Sequence, residues 1–106
     1  MPRFLITGNY TVEGAKGVIV EGGSGRVAAV TKLIASLGGS VEAFYFSFGG
    51  DDFYVTVELP SNVAAAAGTL IVGAAGGANA RTIVLLTADE VDAAAKLSPS
   101  YRAPGA

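Results

Sequence analysis

The acidic and aromatic side chains that could do chemistry are concentrated in residues 41–60. Asp51 and Asp52 follow a pair of glycines, and Tyr45 and Tyr54 lie on either side of them. The chain has no histidine and no cysteine, so a carboxylate whose pKa is raised by burial is the best remaining general base. Asp52 is therefore a candidate base or hydrogen-bond acceptor beside Tyr54. The alternative is turn chemistry, because aspartate is a favoured turn residue. Neighbouring strand residues point to opposite faces, so the two aspartates do not form a carboxylate dyad.

Arginine and tyrosine side chains elsewhere in the chain extend this candidate site. Arg26 and Arg81 could each bind an anion or pair with an acidic side chain across the fold. Tyr10, Arg26 and Tyr45 are the candidate ligand-binding residues, to be placed together with Asp52. This set predicts a site for an apolar or aromatic ligand.

A glycine-rich segment suggests a nucleotide cofactor as a further possibility. Gly23, Gly25 and Ala28 match a dinucleotide-binding fingerprint after the apolar run 18–20. However, a full dinucleotide fold does not fit in 106 residues, and the opening strand would have no crossover partner. We therefore expect a glycine-broken helix here and no cofactor. Without histidine or cysteine, we also expect no metal site.

Composition restricts the partners that this chain can have. The net charge is −2, and the lysines and arginines are scattered singly, so nucleic-acid binding has little support. Hydrophobic residues make up 51% of the chain and charged residues only 15%. Such a low charge for a folded domain favours a homo-oligomer in which part of the surface is covered by other copies.

Targeting signals do not stand out in the sequence. The first ten residues lack the charged start and long apolar run of a signal peptide. The uncharged stretch Leu59–Ala80 is interrupted by proline, asparagine and many small residues, which makes it too weak for a membrane span. We expect a cytoplasmic protein without membrane contact.

The stretch 41–60 alternates with a period of two, which is typical of strands with one buried face. Two strands place large apolar side chains on one face, namely Phe44, Phe46, Phe48, Phe53, Val55, Val57 and Leu59. A two-residue turn at Gly49-Gly50 or Gly50-Asp51 would join them, and Pro60 would end the second strand. The opposite face carries Tyr45 and Tyr54 and suits a subunit interface or a pocket wall.

Capping residues and glycines mark the helices on both sides of this hairpin. Thr11 is a predicted N-cap for one long helix, or for two segments broken near Gly22–Gly25. Ser61 caps a second helix that runs to about Ala75 and carries no charged residue. A helix that is polar on no face is normally buried on more than one side, which again favours packing between copies.

Two further strands and a short last helix complete the chain. Strands are predicted at Arg3–Tyr10 and Arg81–Leu86, and residues 87–90 form a capping box for the last helix. The resulting order is βαββαβ plus a short helix, which indicates an α+β, ferredoxin-like sandwich. We predict one domain over residues 1–97 and a flexible tail over residues 98–106.

Several motifs together resemble a known family. Residues 48–52 read Phe-Gly-Gly-Asp-Asp and precede an alternating strand that ends at Pro60. Related positions are Tyr10-Thr11, Glu13-Gly14, Lys16-Gly17, residues 21–24 with Arg26, Leu37-Gly38-Gly39, Phe44-Tyr45-Phe46 and Leu86-Thr87. On these residues the sequence resembles the GYD-domain family of small bacterial proteins, named for a Gly, Tyr, Asp motif. The motif aspartate corresponds to Asp52, while Asp51 stands where the tyrosine is expected.

The resemblance implies a ferredoxin-like fold of the dimeric α/β-barrel type, in which sheets pair face to face and a pocket lies between sheet and helices. It implies no established activity, because likeness of fold transfers no chemistry. Two hypotheses follow. The first is a self-associating structural or binding domain without catalysis. The second is a cofactor-free enzyme, resembling small monooxygenases or isomerases, or a small-molecule binder, with a site lined by Tyr10, Arg26, Asp52 and Tyr54.

Overall fold

A computed structural model of residues 1–106 shows a four-stranded antiparallel sheet with two helices on one face. In chain order the elements are strand β1 (Arg3–Tyr10), helix α1 (Val12–Ser36), strands β2 (Ser40–Phe46) and β3 (Phe53–Glu58), helix α2 (Asn62–Ala75), strand β4 (Ala78–Leu85) and helix α3 (Ala88–Ala95). The strand order β2-β3-β1-β4 confirms the predicted ferredoxin-like α+β fold. Strand β4 begins at Ala78 rather than at Arg81.

The core lies between the sheet and the two large helices. Phe4 of β1 is paired with Val57 of β3, and both side chains are almost fully buried, as is Ile34 of α1. Directly paired residues share one face of a sheet, so the alternation seen in the sequence turns one whole face of β1 and β3 toward the helices. The opposite face of the sheet, here called the open face, is covered by no element of the chain.

Helix α1 is kinked at Gly22, which has φ 77° and ψ 167°. This confirms the predicted break in the helix, since such angles are reached almost exclusively by glycine. The dinucleotide fingerprint is contradicted, because residues 18–20 lie within the helix and not in a strand. A phosphate-binding turn of that type requires a strand that enters the glycines directly.

The hairpin has the predicted pairing but not the predicted turn. Phe46 is opposite Phe53, which is the register that a Gly49-Gly50 turn requires. The strands stop at these residues, however, and a six-residue loop, Ser47–Asp52, replaces the two-residue turn. Phe48 was expected in the buried face but is fully exposed. The physical reason is that hydrogen bonds to β1 hold this loop, as described below.

All three predicted N-caps are present. The hydroxyl oxygens of Thr11, Ser61 and Thr87 accept hydrogen bonds from backbone N–H groups in the first turns of their helices. The capping box is complete, because the Glu90 carboxylate accepts a hydrogen bond from the Thr87 N–H at 3.0 Å. This contact with the Thr87 backbone lowers the pKa of Glu90. The caps therefore account locally for where the helices begin.

None of the helices has the length and apolar character needed to span a membrane. The cytoplasmic location stays a prediction.

Candidate functional site

A cavity lies between the two large helices and the sheet. Helix α1 packs mainly on β2, and α2 packs mainly on β4, so the region over β1 and β3 is less tightly covered. The helices meet where Gly68 of α2 lies against Leu37, and again where Gly14 of α1 lies against Gly77. The cavity between these contacts has a volume of about 320 Å³, which is at the small end of typical ligand sites.

Apolar side chains from the sheet and both helices make up most of the cavity wall. Representative residues are Ile6, Phe44 and Val55 from the sheet, Val30 and Leu33 from α1, and Val72 from α2. These side chains are the inward positions of the alternating strands and the sheet-facing positions of the helices. An apolar wall of this kind favours an apolar ligand body over a strongly hydrated one.

Three polar or charged side chains reach this cavity, and they differ in how they are bonded. Thr69 already bonds within the protein, because its hydroxyl lies 3.0 Å from the carbonyl oxygen of Ala65 and 2.6 Å from the Thr82 hydroxyl. Tyr10 and Arg26 also line the cavity, and neither side chain makes a hydrogen bond to another protein group. Tyr10 and Arg26 are therefore the residues of the cavity wall that can still form hydrogen bonds with a ligand.

Arg26 is the single charged residue in the cavity wall. It lies just after the kink at Gly22, at the start of the second segment of α1. Its Nε atom is buried and lies 3.2 Å from a carboxylate oxygen of Glu21, but the geometry gives no hydrogen bond. The guanidinium group is thus neutralised in charge by Glu21, while its buried Nε–H remains without a hydrogen-bond acceptor in the protein.

Tyr10 is half-buried at the end of β1, with its ring 5.1 Å from the ring of Phe53 between centroids. Burial raises the pKa of Tyr10; the positive charge of Arg26 opposes this, and Asp52 and Glu21 add to it. At neutral pH the phenol is therefore protonated and available as a hydrogen-bond donor.

Asp52 does not line the cavity. Its side chain instead bonds to the backbone of Tyr10, which does. One of its carboxylate oxygens accepts a hydrogen bond from the Tyr10 backbone N–H at 2.9 Å. Its own N–H donates to the carbonyl oxygen of Gly8 at 2.7 Å. The pair of bonds extends the pairing between β1 and β3 beyond Phe53. Asp52 thereby positions Tyr10, and its role as a general base stays a prediction.

Asp51 attaches the same loop to the open face. Its carboxylate accepts hydrogen bonds from the Thr7 hydroxyl, at 2.7 Å, and from the Arg81 guanidinium group. The Thr7 bond and then the Arg81 bond lower the pKa of Asp51. Asn9 donates to the carbonyl oxygen of Gly50 at 2.8 Å. Sequence reasoning missed Thr7 and Asn9, although polar residues at alternate positions of an otherwise apolar strand were the available signal.

Tyr45 and Tyr54 lie on the open face, away from the cavity. They are directly opposite each other in β2 and β3, and Tyr54 is also opposite Thr7 of β1. Tyr45 is 70% exposed and Tyr54 is 40% exposed. The predicted site residues therefore divide into two groups within one chain. Tyr10 and Arg26 share the cavity, whereas the other two tyrosines share the open face.

The comparison with known families agrees with this arrangement of elements. The family model described as the GYD domain matches residues 4–95, from the start of β1 to the end of α3. The chain belongs to the GYD domain family. Neither the curated proteins nor the solved structures contain a significant match to it. The resemblance seen in the sequence is thus confirmed.

The resemblance in the sequence sets Asp51 at the place of the tyrosine in the family name. The resemblance places a tyrosine there, and the structure shows an aspartate bonded to Thr7 and Arg81. In this GYD domain the position therefore attaches the loop to the sheet through charge and hydrogen bonding. No three potential metal-ligating side chains come together anywhere in the chain.

Proposed function

We propose that this GYD domain is a homo-oligomer in which the open face of the sheet packs against the same face of a second copy. The observation that carries this proposal is the exposure of Tyr45 and Tyr54, together with the half-exposed Ile83, on a sheet face against which no helix of the chain packs. Aromatic residues are enriched in the centres of protein interfaces. Burial of a sheet face of this composition in an interface lowers the free energy, because apolar surface is removed from water.

The charges of the open face suit contact with an identical face. Arg3 bonds with Glu42 at 2.8 Å and with Glu58 at 3.3 Å at one end of the sheet. Arg81 pairs with Asp51 at the other end. The charges of these ion pairs sum to only −1, so two copies can approach about a two-fold axis with modest like-charge repulsion. This is the reason to favour a second copy over a charged partner.

The apolar surface of α2 is a candidate for a further contact. Val63, Leu70 and Ile71 are exposed on this uncharged helix, while Ala65 and Gly68 face its own sheet. A dimer formed through the open face would leave this surface available, so assemblies larger than a dimer would use it.

The test is the molar mass in solution, measured by size exclusion with light scattering at micromolar protein. We expect a dimer or larger species for the unmodified chain. Tyr45→Glu should shift it toward the monomer, because the substitution places a carboxylate in the centre of a desolvated interface. Ile19→Glu is the matched control, since Ile19 is 82% exposed on α1, on the other side of the sheet. A monomeric unmodified chain, or equal effects of both variants, would contradict the proposal.

Binding of a small apolar molecule is a second proposed function, and the cavity between the helices favours it. The test is a titration with n-octanol followed by the methyl resonances of Val30, Leu33 and Val72, which line the cavity. Saturable shifts confined to these methyl groups, with Ile19 unaffected, would support binding there. Equal shifts at Ile19 would indicate non-specific contact. No reaction is proposed, because no carboxylate or other base lines the cavity wall.

A further inference from the structure

We propose that the cavity binds a small organic monoanion with an apolar body, its carboxylate lying against Arg26 and Tyr10. This inference rests on the ligand-binding function proposed above and adds the chemical class of the ligand. The wall of the cavity combines unpaired hydrogen-bond donors at Arg26 and Tyr10 with an apolar surface elsewhere.

The donors point to an acceptor that the protein does not supply. The buried Nε of Arg26 has no hydrogen-bond partner, and the Tyr10 hydroxyl makes no hydrogen bond within the chain, although both residues line the same cavity. Leaving the buried Arg26 Nε–H unpaired costs free energy, and a ligand oxygen would recover it. A carboxylate matches the planar guanidinium group and can accept several hydrogen bonds at once.

The surrounding charges limit the ligand to a single negative charge. Glu21 lies 3.2 Å from the Arg26 Nε, and Asp52 lies near enough to Tyr10 to affect its titration. With one arginine and two carboxylates in the neighbourhood, each further negative charge on the ligand adds repulsion, so a monoanion is disfavoured less than a dianion such as a phosphate monoester. A monoanion would compete with Glu21 for the Arg26 guanidinium group.

The apolar wall then sets the nature of the ligand body. Sixteen of the 21 residues around the cavity are hydrophobic, and Thr69 is already bonded to protein groups. A second polar group on the ligand would therefore be desolvated without a partner, which is unfavourable. A short aliphatic or aromatic carboxylic acid fits both ends of the cavity.

The experiment compares octanoate, n-octanol and octyl phosphate by calorimetric titration at neutral pH and fixed salt. Octanoate should bind roughly tenfold or more tightly than octanol, and octyl phosphate should bind more weakly than octanoate. Arg26→Gln should weaken octanoate binding by about 10- to 100-fold while changing octanol binding by less than about threefold. Tyr10→Phe should weaken octanoate binding by roughly two- to tenfold.

Matched controls distinguish binding of an anion at Arg26 from binding of any small apolar molecule in the cavity. Arg102→Gln removes an arginine from the exposed C-terminal segment and should leave all three affinities unchanged. Val72→Phe enlarges a cavity-wall residue and should abolish octanoate and octanol binding together. The unfolding midpoint of each variant verifies that it is folded.

The outcomes distinguish the two claims. If octanol binds as tightly as octanoate and Arg26→Gln has no selective effect, the anion proposal is wrong while the apolar site remains. If none of the three compounds binds the unmodified chain, the ligand-binding function itself is wrong. The ratio of octanoate to octanol affinity in the unmodified chain decides the question even where a variant is unstable.

Discussion

Asp52 is linked to the cavity through one backbone hydrogen bond. Its carboxylate accepts a hydrogen bond from the Tyr10 N–H, and Tyr10 lines the cavity. Asp52 thus acts on the site indirectly, because its hydrogen bond positions the end of strand β1.

Replacing Asp52 should separate hydrogen bonding from charge. Asp52→Ala leaves the half-buried Tyr10 N–H without an acceptor, so the free energy of unfolding should fall by about 1–3 kcal/mol. Asp52→Asn keeps a carbonyl oxygen as acceptor and should lose clearly less. Urea denaturation measures both. An asparagine variant as unstable as the alanine variant would show that the negative charge, rather than the acceptor, is what matters.

Asp51 should make the stability of the protein sensitive to acid. Its pKa is lowered in the folded state by the bonds from Thr7 and Arg81, and the value in an unfolded chain is about 3.9. A lowered folded pKa contributes stability that is present above the unfolded value and is lost as the pH falls through the folded value. The stability of the unmodified chain should therefore decline below about pH 4.

The Asp51→Asn variant provides the measurement. Its urea midpoint should be lower than that of the unmodified chain at pH 7 and should approach it at pH 3, because the lost contribution is ionic. Asp92→Asn is a control, since Asp92 is exposed on α3 and makes no hydrogen bond. Parallel pH profiles for the unmodified chain and Asp51→Asn would contradict the assigned role.

At the scale of elements, the kink in α1 positions the cavity. Gly22 bends the helix so that the segment beginning near Arg26 takes a new direction over the sheet. Its angles lie in a region that costs other residues about 1–3 kcal/mol. A continuous helix would carry Arg26 elsewhere, so the glycine-rich segment serves the shape of the site rather than a cofactor.

Two glycine substitutions in α1 should have opposite effects. Gly22→Ala should lower the free energy of unfolding by about 1–3 kcal/mol because of its backbone angles. Gly17→Ala should raise it by about 0.5–1 kcal/mol, since Gly17 is in regular helix with open space around it. Thermal or urea unfolding of the two variants measures these changes in stability. If Gly22→Ala leaves the free energy of unfolding unchanged, the kink can relax without loss of stability, which would contradict this prediction.

The hairpin shows how far alternation along the chain predicts structure. The pairing of Phe46 with Phe53 follows from the pattern, because a shift by one residue would expose the whole apolar face. The end of the pairing does not follow from it. Bonds from Thr7 and Asn9 to the loop end the strands before Phe48, and these partners lie about forty positions away in sequence.

At the scale of the whole molecule, the C-terminal part stands apart from the sandwich. Helix α3 buries none of its residues, and Leu97 and Tyr101 are about 80% exposed. The radius of gyration is 16.8 Å, compared with about 13 Å for a compact domain of this length. The protruding segment contributes little to the stability of a single copy.

Removal of residues 98–106 tests this division. The free energy of unfolding should change by less than about 0.5 kcal/mol, because surface residues without specific contacts contribute little. The flexible tail stays a prediction, and amide exchange of the same residues in the assembled protein would measure it. If the truncation weakens self-association while leaving unfolding unchanged, the tail orders against another copy. A large loss of stability would show contacts within the chain.

Local signals in the sequence were sufficient for the order of the elements and for the helix starts. Thr11, Ser61 and Thr87 cap their helices through bonds to residues three positions away, and strand alternation is set by neighbours along the chain. These interactions hardly depend on the rest of the fold, which is why they could be predicted.

Tertiary structure alone decided how the candidate residues are grouped. Tyr10 and Arg26 share one cavity, while Tyr45 and Tyr54 face the other side of the sheet. That division depends on the face to which each strand turns and on the bend at Gly22. Both result from pairing and packing between distant segments, which spacing along the chain does not encode.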